Sequence, residues 1–385
     1  MRDGWVDYKF KDVATVVKGR LPKSKNEDGI GMPYLTASYL RSGKPDYWIE
    51  HLEGSVTAED GDCLILWDGA GAGDLFTAYR GVVSSTMAAV TTQNSKILRE
   101  FLTLFISSKA DYIKETCRGT TVPHVSPDAI ANMELKIPPL PEQKRIVDLI
   151  ASVDSYIEAI QQQLVSIQSI RSSISESLWS SFSLRSKLSS FGETLTGSTP
   201  PTKKQQYWES HEVDFFTPSD LGTSLKLNTA SRGVSSEGAA ISRPLKGFSV
   251  LQVCIGATIG KVGYLNHPAV MNQQINALTN LTEHDAPILA AILSSETFQS
   301  IIRNTAGGST LPIISKSSWG EIQIPHVPEG ERIKVSLAIL ESDSFIEQSR
   351  QLLFSAEKLR SSILHNLLTG THEIPAGYDK VMGAA

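Results

Sequence analysis

Cysteine is scarce in this chain of 385 residues: Cys63, Cys117 and Cys254 are the only three. They are far apart and lack the paired spacing of a metal site, so they are read as buried thiols of a reducing compartment, and the chain as cytoplasmic. No apolar run approaches the roughly 20 residues that cross a bilayer. Met1-Arg2-Asp3-Gly4-Trp5 has no apolar signal-peptide core. Catalytic signatures are missing as well: there is no Walker loop, no His-Glu-x-x-His and no paired-cysteine motif. An Asp-Pro-Pro-Tyr methyltransferase motif and a Pro-Asp…Glu-x-Lys nuclease pattern are also absent. An excess of positive charge is lacking too, since 36 Lys and Arg stand against 41 Asp and Glu, a net charge of -5. Strong nonspecific affinity for nucleic acid is therefore not carried by overall charge.

What the chain has is a repeat. Leu140-Pro141-Glu142-Gln143-Lys144-Arg145-Ile146 returns 187 positions later as Val327-Pro328-Glu329-Gly330-Glu331-Arg332-Ile333. Ile170-Arg171-Ser172-Ser173-Ile174 returns 189 positions later as Leu359-Arg360-Ser361-Ser362-Ile363. A duplicated unit of this size predicts pseudo-two-fold symmetry. At this length two or three domains are expected, each able to bury its own core.

Each copy begins with a Gly- and Ser-rich stretch of short apolar runs, an α+β texture. Strands are expected over Asp62–Trp67, Val82–Val90 and Ser249–Ile255, and a helix from Glu100 towards Cys117. The texture changes at Ile137-Pro138-Pro139-Leu140-Pro141, where the prolines stiffen an extended approach and Pro141 suits a first helical turn. From there to about Phe182 there is no Gly or Pro. Val153, Ile157, Ile160, Leu164, Ile167, Ile174 and Leu178 mark a heptad seam, and Arg171 takes one seam position. A helix of about 40 residues would be a rod of roughly 60 Å. The second copy predicts a like helix to Leu368, with Ile346, Leu353, Ala356, Ile363 and Leu367 on its seam, Ser342 and Ser349 as weak positions, and Arg360 in the seat of Arg171.

The globular parts match more faintly. Met32–Leu40 resembles Val213–Leu221, and Gly69-Ala70-Gly71-Ala72-Gly73 sits opposite Gly256-Ala257-Thr258-Ile259-Gly260. These glycine clusters lack the spacing and the Lys-Ser/Thr of a phosphate loop, and are read as tight turns beside packed strands. The copies thus share a frame and differ in what it carries.

Pro138 to Val147 resembles the start of a conserved region in the specificity (S) subunits of Type I restriction-modification systems. Gly119-Thr120-Thr121-Val122-Pro123-His124-Val125-Ser126 and Gly308-Ser309-Thr310-Leu311-Pro312-Ile313-Ile314-Ser315 resemble the loop preceding each helix there. The order of variable domain, long helix, variable domain, long helix covers nearly the whole chain. The second copy departs from the pattern at His326 and Gly330.

The resemblance implies two pseudo-symmetric α+β target recognition domains separated by two long antiparallel coiled-coil helices. The expected bounds are 1–140 and 184–326 for the domains, 141–183 and 327–370 for the helices, and 371–385 for a tail. It implies a non-catalytic subunit reading a split, asymmetric site in double-stranded DNA. Two modification (M) subunits, carrying S-adenosylmethionine, and restriction (R) subunits, using ATP and Mg, are the implied partners, with no cofactor in this chain and no membrane. A coiled-coil adaptor that organises proteins without reading DNA is the competing reading, and an enzyme with an unrecognised site is a third.

The candidate DNA contacts are weighed against plain structural roles. Lys18, Arg20, Lys23 and Lys25, with Lys203 and Lys204, form either phosphate patches or solvated loops. Thr120, Thr121 and His124, with Ser309 and Thr310, meet bases or phosphates, or merely anchor the helix start. Thr36, Ser38 and Tyr39, with Ser219 and Asp220, are DNA contacts or caps at strand ends, and Lys261 follows the second glycine cluster. Arg171 and Arg360 fix register or bind carboxylates on a partner helix, or snorkel to solvent.

Overall fold

The computed structural model describes residues 4–119, 121–307 and 311–378. The chain divides into two compact units, residues 1–158 with 354–385, and residues 159–353. Both long helices are present, Leu140–Ser181 and Glu329–Leu368, and each contributes residues to both units. No helix among the described residues is long and apolar enough to cross a membrane.

In the first unit, a four-stranded antiparallel sheet runs Thr15–Lys18, Met87–Thr91, Cys63–Leu66, Leu75–Thr77. A second sheet orders Trp48–Ile49, Met32–Leu35, Gly81–Val83, Thr57–Ala58, and its parallel pair puts Tyr34 beside Val82. Val6–Lys9 pairs with Glu134–Ile137 to carry the chain into the first long helix. The main core joins Ile65, Phe101, Phe105 and Ile113 to Ile146 and Ile150 of the first helix and Leu364 and Leu367 of the second. Deeper along the first helix, Asp154 meets Arg360. Numbers rise on one helix as they fall on the other, so the helices are antiparallel in this unit.

The second unit repeats the plan. Its four-stranded sheet orders Glu193–Thr196, Ile275–Leu281, Phe248–Val253, Val262–Leu265. A three-stranded sheet of Gly233–Val234, Val213–Phe216 and Ala269–Met271 keeps the parallel pair, now Phe215 beside Val270. Arg185–Lys187 pairs with Gln323–Pro325 before the second long helix. Its largest buried side chain, Trp319, donates from Nε1 to Gln252 Oε1 inside the core.

On the helix seams, Ile157, Ile160, Leu178, Ile346, Ala356 and Leu367 are buried, and so are Ser342 and Ser349. The arginines that interrupt the seam find carboxylates. Arg171 Nη1 lies 3.3 Å from Asp343 Oδ1, and Arg360 Nη2 lies 2.8 Å from Asp154 Oδ2. Asp154 and Asp343 are 189 positions apart, as are the arginines, so each ion pair is the internal copy of the other. Both carboxylates belong to this chain.

The first copy of the repeated Pro-Glu motif continues into Gln143, which is structural and fully buried. Its Oε1 accepts from Leu98 N at 2.8 Å, and its Nε2 donates to the carbonyls of Lys96 and Pro138 at 2.7 and 2.8 Å. Gly330 stands at the matching place of the second helix, where a Cβ would meet nothing within 4 Å. The second helix therefore starts without this plug.

Three local expectations differ from the structure. The run Val82–Val90 is not one strand: Gly81–Val83 and Met87–Thr91 lie in different sheets, turned by Ser84–Thr86. The Ser84 and Thr86 hydroxyls bond each other at 3.2 Å, and Met87 N donates to Ser84 O, local bonds that outcompete a continued ladder. The helix from Glu100 breaks at Lys109 into Arg99–Ser108 and Ala110–Glu115, with Ser108 Oγ donating back to Phe105 O. Cys63 and Cys254 are buried, and burial pushes both thiols up to about 12; Cys117 is only half-buried.

Candidate nucleic-acid interface

In each unit a glycine turn is tied to the loop that precedes a long helix. In the first, Gly73 N donates to Leu66 O, Ala72 N to Gly69 O, and Gly69 N to Pro123 O. In the second, Gly260 N donates to Val253 O, Ile259 N to Gly256 O, and Gly256 N to Pro312 O. The turns are therefore equivalent bond for bond. Gly69, Gly73, Gly256 and Gly260 all have φ between +89° and +107°, a region that L side chains avoid. The reading of these clusters as tight turns agrees with this geometry.

The expected DNA contacts sort by how free their polar groups are. Lys18 Nζ is 2.6 Å from Asp68 Oδ2, although the lysine stays half-exposed. Arg20 Nη1 reaches Gly54 O at 3.5 Å, and Lys25 Nζ lies 3.4 Å over the Tyr47 ring. Lys23 is exposed in the same loop. In the second unit Lys203 and Lys204 are exposed, with Lys204 Nζ 5.5 Å from the Tyr207 ring centre. Thr121 and His124 are exposed, and the backbone of His124 pairs with Arg118. Thr120, Ser309 and Thr310 lie outside the described residues.

Other expected contacts have structural work. Ser38 and Tyr39 do not end a strand: the strand stops at Leu35, and Thr36 caps a short helix, Ala37–Ser42, by accepting from Tyr39 N at 3.1 Å. Tyr39 is buried and stacks on Tyr79, whereas Ser38 is exposed. Asp220 accepts from Thr217 N and Oγ1 at 2.7 Å each and from Ser231 N at 2.9 Å. Burial opposes its charge, yet these donors hold its carboxyl below the usual range. Ser219 Oγ lies 2.7 Å from Thr217 Oγ1. Lys261 is half-buried along its stem and has no acidic partner among the described residues.

Two clusters were not foreseen. Asp74, just after the first glycine turn, takes Arg41 Nη2 at 2.7 Å on Oδ2 and Lys114 Nζ at 2.8 Å on Oδ1. The Lys114 hydrogen bond and then Arg41 hold its carboxyl low, and Asp74 raises Lys114 in turn. In the second unit Asp214 lies 2.8 Å from His211 Nε2 and 3.0 Å from His267 Nε2, and accepts from Ala230 N at 2.9 Å. Neither cluster is contiguous in sequence; the only signal for Asp74 is that Lys261 holds the matching position. No group of three His, Cys, Asp or Glu side chains among the described residues is arranged to hold a metal ion.

Residues 2–169 and 185–349 each match the Type I restriction modification DNA specificity domain. The chain is 24% identical to the Type I restriction enzyme MjaVIII specificity subunit of Methanocaldococcus jannaschii, over 96% of this chain and 93% of that protein. It is 20% identical to the HindI specificity subunit of Haemophilus influenzae, over 63% of this chain and 71% of that one. In fold it resembles the crystal structure of a Type I S subunit from M. genitalium, with a TM-score of 0.62 at 15% identity over 94% of this chain and 96% of that one. A chain from a structural study of complex assembly and conformational transition of the Type I R-M system gives 0.58 at 16% identity over 95% and 98%. With the family's domain matched twice over most of its length, on a mixed helix-and-strand fold split by long helices, the chain belongs to the specificity subunits of Type I restriction-modification systems.

Proposed function

We propose that this subunit reads a bipartite, asymmetric site in double-stranded DNA, one half-site per globular domain, and performs no chemistry itself. The observation that carries the reading is the contrast between the copies. Their backbone turns agree hydrogen bond for hydrogen bond, while side chains on and just after them differ: Gly71 matches Thr258, Ala72 matches Ile259, and Asp74 matches Lys261. A shared frame with unlike polar tips suits two unlike half-sites, because base edges are told apart by donor and acceptor pattern. On this reading the domains occupy about 1–140 and 184–326, and helices of 42 and 40 residues set the unread gap between half-sites.

The proposal extends to assembly. Two M subunits binding S-adenosylmethionine and R subunits using ATP and Mg would supply methylation and cleavage. Large apolar side chains left in solvent on the long helices support a protein-binding role there: Val165, Ile170, Phe345, Leu352, Phe354 and Leu359 are all at least 44% exposed. Partner subunits would also supply phosphate attraction that a chain of net charge -5 does not provide.

The test is enrichment of a randomised duplex library by the full chain assembled with its M subunits. Two unlike half-sites at one fixed separation are expected. Enrichment of nothing by an assembly that forms normally would leave the adaptor reading in its place.

A further inference from the structure

The two glycine turns carry different charges at the same place. Asp74 and Lys261 follow the turns 187 positions apart, and each takes the same backbone bonds: Leu66 N to Asp74 O, and Val253 N to Lys261 O. The residue that meets each of them comes from the segment after the parallel strand. In the first domain it is Arg41, whose Nη2 contacts Asp74 and lies over Gly71. In the second, the matching residue is Gly222, and Cγ of Lys261 lies 3.0 Å from where a Cβ there would stand.

So each domain carries a net positive charge beside its glycine turn, from opposite members of the matched pair. Arg41, Asp74 and Lys114 together leave one positive charge in the first, and Lys261 alone supplies it in the second. The manner of delivery differs. Arg41 is 55% exposed but fixed: Asp74 holds one nitrogen, Lys114 holds the other oxygen of Asp74, and the guanidinium sits 5.4 Å from the Phe76 ring centre. Its remaining donors are presented in a set plane. Lys261 has a stem packed on a glycine and an ammonium with no partner to orient it among the described residues.

A planar, oriented fork and a rotatable point charge do different work on DNA. The fork matches the O6 and N7 acceptors of guanine, while an unoriented ammonium serves phosphate equally well at any sequence. We infer that Arg41, oriented by Asp74, is a base-reading residue of the first domain with guanine as its target, and that Lys261 is a phosphate contact at the matching place of the second. This rests on the proposal that the chain reads DNA.

The experiment compares wild type, R41A, R41K, D74N and K261A, each as the full chain assembled with its M subunits, on the same randomised duplex library and over a salt series. R41A is expected to lower the preference for one G·C pair in one half-site about ten-fold or more, leaving the other half-site unchanged. R41K keeps a cation that can pair with Asp74, so it should stay folded, but it loses the fork and should relax the same pair. D74N keeps Arg41 but not its orientation and should relax it too, an effect that an ion pair serving stability alone would not produce. K261A should weaken all duplexes evenly and lower the log–log salt slope by about 1. A wild type that enriches no motif would sink the DNA reading and this assignment together. A wild type that enriches a split motif, with R41A and R41K either indistinguishable from it or weaker by the same factor on every sequence, would sink the assignment alone.

Discussion

Replacing Arg171 by Leu should destabilise the second unit strongly at neutral pH and much less in acid. Arg171 keeps 20% of its side-chain surface and Asp343 only 8%. Taking away the guanidinium leaves a buried carboxylate with its Oδ2 already unpartnered. Breaking a buried pair from one side costs about 3–5 kcal/mol, and a single contact at 3.3 Å with some exposure on the arginine points to the lower end, about 3 kcal/mol. For a unit of this size that is a fall in Tm of roughly 6–12 °C. The pH dependence has a definite sign. Burial holds the Asp343 carboxyl above its usual range, although Arg171, Arg350 and Lys226 pull it down. A carboxyl raised in the folded state contributes stability that is present below its unfolded pKa of about 3.9 and lost as pH rises through the folded value. Without Arg171 the folded value climbs further, so the deficit should be full near pH 7 and shrink towards pH 4. The double variant R171L/D343L should recover most of the loss, since an apolar pair replaces the ions. At the internal copy, Asp154 is 38% exposed, so R360L should cost about 1 kcal/mol or less. Calorimetry of the full chain from pH 4 to 8 reads all of this; an R171L transition that matches wild type at pH 7, or a deficit that ignores pH, would refute the reasoning.

The glycines and the buried glutamine give three more expectations, each read by thermal melting of the full chain. Q143A strands the Leu98 N–H and two carbonyls inside the first unit, and should cost about 2–4 kcal/mol. G330A fills open space in a first helical turn and should stabilise by about 0.5 kcal/mol; a loss would mean that the second helix starts differently. G260A forces a side chain into φ +94° and against the Gln299 carboxamide, and should destabilise by about 2 kcal/mol or more.

The helices were legible because their signals are local. Proline marks the helix starts and the seam spacing their course, and the second helix stops at Leu368 as its sequence predicts. The repeat also placed the arginines in equivalent seats, and Asp154 and Asp343 carry the same spacing, so the ion pairs were there to be read once the helices were laid antiparallel. Strand limits were less legible. Val82–Val90 is apolar enough for one strand, and only the local Ser84–Thr86 turn bonds, which an apolar pattern does not signal, divide it. The Arg41, Asp74 and Lys114 cluster was hidden for a different reason. Its members are 33 or more positions apart, and each alone is an ordinary surface charge. Thr36 and Tyr39 show the converse, since polar residues near a strand end turned out to cap and pack a short helix.

The central claim is one frame with two unlike readers, and the most direct measurement is single-molecule mapping of methylated adenines in a host that carries this chain with its M subunits. The account predicts one motif of two different half-sites at a fixed separation, lost when the chain is removed. A contiguous motif, or two identical half-sites, from an active methyltransferase would contradict it.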